Sequence, residues 1–455
     1  MNGATSHPSS FALLVIVFIA IAGLILLVGK FKLNAFVALI LASLFVGLCA
    51  GMKLADIAKS FQDGVGAVLA SVAVVVGLGT MLGKMLAESG GAEVIARSVI
   101  AVFGQKRIDW AMVFIALIVG IPVWFSVGLV LLLPIVLTLA RETKTPLLFL
   151  GVPLLAGLSI AHGLIPPHPG PMAAIELLRA DLGKTILYSF MIGVPTAILV
   201  GPILGRFLAP RITVEPGAMA EQLTRKSERT NLPGFALTLF TILLPIILML
   251  AASGADVFLE KTGRYGQLRE WLDFLGSPIV ALLAGVLFSF YSFGFARGFD
   301  RKQVSKFVED CLAPVATVLL VVGAGGGFSR VLLASGVGDS MAGLANKLNV
   351  SPLIFGWLVA ALIRVAAGSA TVAITTAAGI MAPILVAFPG TKLELLVIAM
   401  GAGSSVLSHL NDGGFWFVKE YFNMTVTQTL QSWTLMVTAK SIVELILVLI
   451  LDKII

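Results

Sequence analysis

Charge is what this chain has least of: Asp, Glu, Lys and Arg make up 12% of its 455 residues, against about a quarter in soluble domains. That scarcity excludes a sizeable water-exposed domain. With 58% hydrophobic residues and a mean hydropathy of +1.04, the chain needs lipid as its solvent. Thiols are nearly absent as well. Cys49 and Cys311 lie in separate apolar segments with no second thiol near either, which excludes a disulfide framework and a thiolate zinc site. No nucleotide or other cofactor motif is present, so neither a cofactor nor an enzyme is expected. The net charge of +7 does not imply nucleic acid, because the basic residues fall in short loops between apolar runs, where orientation bias puts them.

What the sequence does have is apolar runs. A helical crossing takes about 20 residues, and such runs recur from Phe11 to Leu451. The first, Phe11 to Val28, lacks a basic leader and a small-residue cleavage site, and reads as a retained helix after a tail at 1–10. Crossings are expected near 11–29, 34–52, 61–86, 147–180 and 186–209, then near 233–252, 277–296, 308–333, 394–424 and 433–451. Two further apolar regions, 109–140 and 353–388, have small residues near the middle and read as re-entrant hairpins.

The two halves repeat. Val75 to Gly90 lies over Val321 to Gly336 at an offset of 246 residues, with seven of sixteen positions identical. The basic residues Lys84 and Arg330 coincide, and Gly157, Ser159 and Leu164 fall on Gly403, Ser405 and Leu410 at the same offset. Internal symmetry is a mark of secondary transporters. Each half, 11–209 and 233–455, holds five crossings and a hairpin. An odd number turns the second half over, so the repeats are inverted. With the N-terminus outside, seventeen Lys and Arg fall in cytoplasmic loops against ten in outer ones, and the polar stretch 210–232 becomes a cytoplasmic linker.

Chemistry is expected where the spans break. His162 to Pro171 holds four prolines in ten residues, which no helix can continue through; the alternative is an external loop between short helices. The matching stretch His409 to Trp416 carries two glycines and an acid, Asp412. Broken helices at membrane depth are tolerated only against protein or a water-filled cavity. Their free N–H groups suit a carboxylate, and their carbonyls suit cations or hydroxyls.

Arg364, among apolar neighbours, calls for a cavity or a partner, and its planar fork fits a carboxylate. It contacts substrate or organises the site, or else pairs structurally with Asp412 or with helix ends. Gly368, Ser369 and Thr371 form the expected hairpin tip, unless they are ordinary small-residue packing. Asp412 is the candidate proton carrier. His162 and His168 titrate in the right range, or simply hydrogen-bond helix ends. A metal is not expected, because no carboxylate or thiol lies beside the two histidines. Lys84 and Arg330 read as snorkelling residues, and Glu176, Arg179, Asp181 and Lys184 as a solvated polar loop.

Leu82-Gly-Lys-Met-Leu86, His162 through Pro171, Gly368-Ser-Ala-Thr-Val372 and Ser408 through Trp416 resemble the gluconate permease family, from about Gly23 to the C-terminus. The resemblance implies a bacterial inner-membrane symporter for gluconate or a related sugar acid with protons. It also implies membership of a wider ion transporter superfamily, with a homodimer and an elevator-like movement of the hairpin-bearing domain against a scaffold. By position, His162, His168, Arg364, Ser369, Thr371, Asn411 and Asp412 match the family pattern. Ser126 departs from it, standing where the family usually has glutamate, which shifts proton coupling toward Asp412 and His162. The competing readings are a D-serine or short hydroxy-acid symporter, a sodium-coupled carboxylate transporter, and, in another class, a channel.

Overall fold

The structure, a computed structural model, describes residues 10–215, 231–258, 266–336, 351–385, 388–410 and 412–455. All regular elements among these residues are helical. The first half comprises α1 (Ser10–Gly29), α2 (Ala35–Cys49), α3 (Leu54–Glu88), α4 (Gly91–Phe103), α5 (Ile108–Gly120), α6 (Phe125–Thr143), α7 (Leu147–Leu164), α8 (Pro169–Leu178) and α9 (Leu182–Ile198). A π-helical turn, Leu199–Ile203, carries α9 on into α10 (Leu204–Leu208). The second half comprises α11 (Phe235–Phe258), α12 (Gly266–Gly276), α13 (Pro278–Ser289), α14 (Arg301–Ala334), α15 (Pro352–Ala367), α16 (Ala370–Ile384), α17 (Leu393–Gly403), α18 (Gly413–Tyr421), α19 (Val426–Thr429) and α20 (Leu435–Ile454).

Eight helical stretches among the described residues are long and apolar enough to cross a membrane. They differ from the expected crossings in instructive ways. α3 and α14 begin about seven residues before the apolar runs at 61–86 and 308–333, because their first turns are polar yet still helical. Asp300 and Gln303 close a capping box that starts α14 in charged sequence. The first expected hairpin, 109–140, has unequal arms: α5 has 13 residues, whereas α6 has 19 and is itself long enough to cross. Pro134 does not end α6, since neighbouring elements can satisfy the carbonyl that a proline frees. Glu176, expected in a polar loop, lies inside α8, and Asp181 caps α9 by accepting from the Lys184 N–H (2.7 Å). Lys84 pairs with Glu88 at 2.8 Å.

Two long helices, α3 and α14, pack against one another at the centre. A methyl group on Gly64 would lie 2.4 Å from the carbonyl oxygen of Gly326. Small residues let helix backbones meet this closely where lipid supplies no hydrophobic drive. α5 packs along α7, and α15 along α17, which places the ends of α5 and α15 beside the two interrupted spans.

Candidate functional site

The span 147–178 is interrupted at Ile165–His168, between α7 and α8. The run of prolines causes this locally, because Pro166, Pro167 and Pro169 lack the N–H groups a helix would use. The span 393–421 is interrupted from Ser404 to Asp412, between α17 and α18, so this break opens five residues earlier than His409. Asn411 lies outside the described residues, as does 216–230 of the linker.

At the first break His162 lies in the last turn of α7 and His168 stands just before the first residue of α8. Their rings meet edge to face, with centroids 4.8 Å apart. His168 Nε2 donates to the Gly120 carbonyl at the end of α5 (2.7 Å), while the buried Nδ1 of His162 has no hydrogen-bond partner among the described residues. Trp124, between α5 and α6, stands 6.2 Å from the His162 ring and donates to Thr80 Oγ1 of α3 (3.2 Å). Thr80, Pro122, Trp124, Pro167 and His168 line a small pocket at this point.

The N-terminus of α8 is not capped by a side chain and faces the start of α16. A methyl group on Gly170 would touch Ile374 at 2.6 Å and reach the Thr371 Cα at 3.7 Å. The α15–α16 turn is made by Gly368 at φ +70° and by Ser369, whose Oγ accepts from the Val372 N–H (3.4 Å). The first turns of two helices thus converge here, Thr371 among them. Pro169 and Pro171 leave Gly170 with the one N–H among the first three residues of α8, so it is mainly the dipoles of the two helices that favour an anion.

At the second break Arg364 of α15 forms a buried ion pair with Asp412. Ser408 Oγ also donates to the Asp412 carboxylate, and the Gly414 N–H donates at 2.8 Å. Trp433 Nε1 donates to Ser408 Oγ (2.7 Å), Thr434 Oγ1 to the Ser408 carbonyl, and His409 Nε2 to the Val365 carbonyl (3.1 Å). Trp433 and Thr434 lie in a π-helical turn, Leu430–Thr434, a local widening common at functional sites. Ser126 sits half-buried in the first turn of α6, next to Phe125, whose ring meets Trp433 at 5.1 Å.

The sequence reading missed Trp433, Thr80, Lys440 and Glu444, and it quoted Ser408 only as the start of a motif, with no role. A lysine and a glutamate four residues apart inside an apolar span were a usable signal, since intramembrane ions mark function by default. Trp433 carried none, because only the fold brings it to Ser408.

Membrane-length helices whose two interrupted spans meet over buried ionisable groups define a multi-pass membrane transporter, not an enzyme. The chain belongs to the GntP permease family: the model described as GntP family permease matches residues 12–454. It is 50% identical over 444 residues to a gluconate permease of Zymomonas mobilis, covering 97% of this chain and 98% of that one. It is 49% identical over 435 residues to a gluconate permease of Pseudomonas aeruginosa, covering 95% and 96%. Its fold is similar to the solved structure of the Alcanivorax borkumensis YdaH transporter, described as having an unusual topology, with a TM-score of 0.65 over 92% of this chain and 98% of that one. At 18% identity this likeness is one of fold alone.

Proposed function

We propose that the chain imports gluconate, or a closely related sugar acid, by proton symport across a bacterial inner membrane. The names of its relatives support the substrate. The buried Arg364–Asp412 pair carries the coupling. An arginine held by an aspartate can turn to a substrate carboxylate only when the aspartate's charge is neutralised, and a proton does that. Ser408 and the Gly414 N–H remain to hold the Asp412 side chain while Arg364 turns. The convergent starts of α8 and α16 add positive potential for the same carboxylate. His162, His168, Ser369, Thr371, Asn411 and Ser126 then serve the hydroxyls, with Gly368 allowing close backbone approach and His162 a further stop for the proton.

The wider scheme is two inverted repeats, 11–209 and 233–455, joined by a cytoplasmic linker at 210–232. The hairpin-bearing parts move as an elevator against a scaffold, in a homodimer. A crosswise arrangement supports it. The tip at Thr371 meets the first break through Gly170, and the tip at Phe125 meets the second through Trp433.

Counterflow tests the substrate: proteoliposomes preloaded with unlabelled gluconate should take up labelled gluconate, and sugar acids should compete better than D-serine or glycerate. Uptake no greater than in protein-free vesicles would remove gluconate, and stronger competition by D-serine would reassign the substrate.

A further inference from the structure

One buried ion pair has no part in that scheme. Lys440 and Glu444, one turn apart in α20, are both fully buried. Lys440 Nζ donates to Ser405 Oγ in the second break (2.6 Å) and reaches the Ser159 carbonyl oxygen near the end of α7 (3.4 Å). The nearest Glu444 oxygen is farther, at 3.7 Å, and among the described residues neither Glu444 oxygen has a partner within hydrogen-bond distance. The short contacts of the ammonium therefore go to the broken spans rather than to its own helix.

The two spans approach closely at this place. A methyl group on Gly401 would lie 2.7 Å from the Gly163 carbonyl oxygen, and one on Gly163 would lie 3.3 Å from Lys440 Nζ. Ser159 and Ser405 are also the residues related by the offset of 246. The two oxygens around the ammonium thus come from equivalent points of the two halves. The position matching Lys440 in the first half is Val194, so one lysine serves both. A carbonyl, a hydroxyl and a nearby carboxylate at interrupted helices form the ligand set that alkali cations also use in transporters. A buried lysine persists at membrane depth by pairing with just such groups.

We propose that the Lys440 ammonium is a tethered cation that fastens the two broken spans at their crossing, filling the place of a bound alkali ion. Transport by this chain then needs no sodium at that point. Lys440 is a positioning residue, since its contacts are with the span ends and not with the groups assigned to substrate. Only the exchange arm of the test below rests on the gluconate reading.

Wild-type protein should exchange labelled gluconate equally in sodium and in choline buffers. Lys440→Ala should lose about tenfold or more of the exchange rate in choline, the size of one lost polar interaction. It should recover severalfold with sodium or methylammonium, and its melting temperature in detergent should rise with those cations and not with choline. Lys440→Met, which fills the space without charge, should stay impaired and respond to neither. Three results would overturn the proposal: sodium-dependent exchange in the wild type, wild-type exchange in Lys440→Met, or a Lys440→Ala protein that answers to no cation in either readout. The melting arm contains no gluconate, so a wrong substrate leaves it intact.

Discussion

Arg364 and Asp412 are both buried and both committed, to each other and, for Asp412, to Ser408 and the Gly414 N–H. Removing one partner of a buried pair strands the other, at about 3–5 kcal/mol, while replacing both with apolar groups is often neutral. Arg364→Met alone should therefore lower the melting temperature more than Arg364→Met combined with Asp412→Leu, and both should abolish gluconate exchange. Equal melting temperatures for the single and double variants would mean that the pair is not coupled as described. Much at this scale was legible: an arginine and an aspartate in apolar sequence are costly in lipid, and cost is what marks them. The groups that hold them were not. Trp433 lies far from Ser408 in the sequence, and the π-helical turn at Leu430–Thr434 brings it onto Ser408.

Helix ends and crossings decide more than helix interiors do. The first break was readable because proline removes backbone donors wherever it stands. The second was placed too late, since glycines at 413 and 414 drew the eye while α17 had already ended at Gly403. α6, the second arm of the expected hairpin, runs on through Pro134 to Thr143 and is long enough by itself to cross. Periodicity cannot tell a short crossing from a hairpin arm, because both are equally apolar. The close approach of the breaks gives this scale its prediction. Gly401→Ala would press a methyl group against the Gly163 carbonyl, and such overpacking costs about 1–3 kcal/mol. Gly66 lies exposed within α3 with nothing within 4 Å, so Gly66→Ala should stabilise by about 0.5–1 kcal/mol through helix propensity. Thermal unfolding of the two variants in detergent should move in opposite directions, with exchange lost only in Gly401→Ala.

In the whole molecule, composition settled the solvent, and family membership settled the class of activity. Coupling is the property that no single element contains. It requires that a proton on Asp412 and a carboxylate on Arg364 travel together, so that neither the bare ion pair nor a half-loaded site gives net flux. Asp412→Asn keeps the size and planar shape of the side chain and removes the charge that a proton would cancel. It should exchange gluconate across the membrane yet fail to concentrate it. The most direct measurement uses sodium-free proteoliposomes, acidic outside, with a pH-sensitive dye in the lumen and labelled gluconate added externally. Wild-type vesicles should accumulate gluconate above the external concentration while the lumen acidifies in step, and Asp412→Asn vesicles should do neither. Accumulation without lumenal acidification, or accumulation by Asp412→Asn equal to wild type, would contradict proton coupling through this pair.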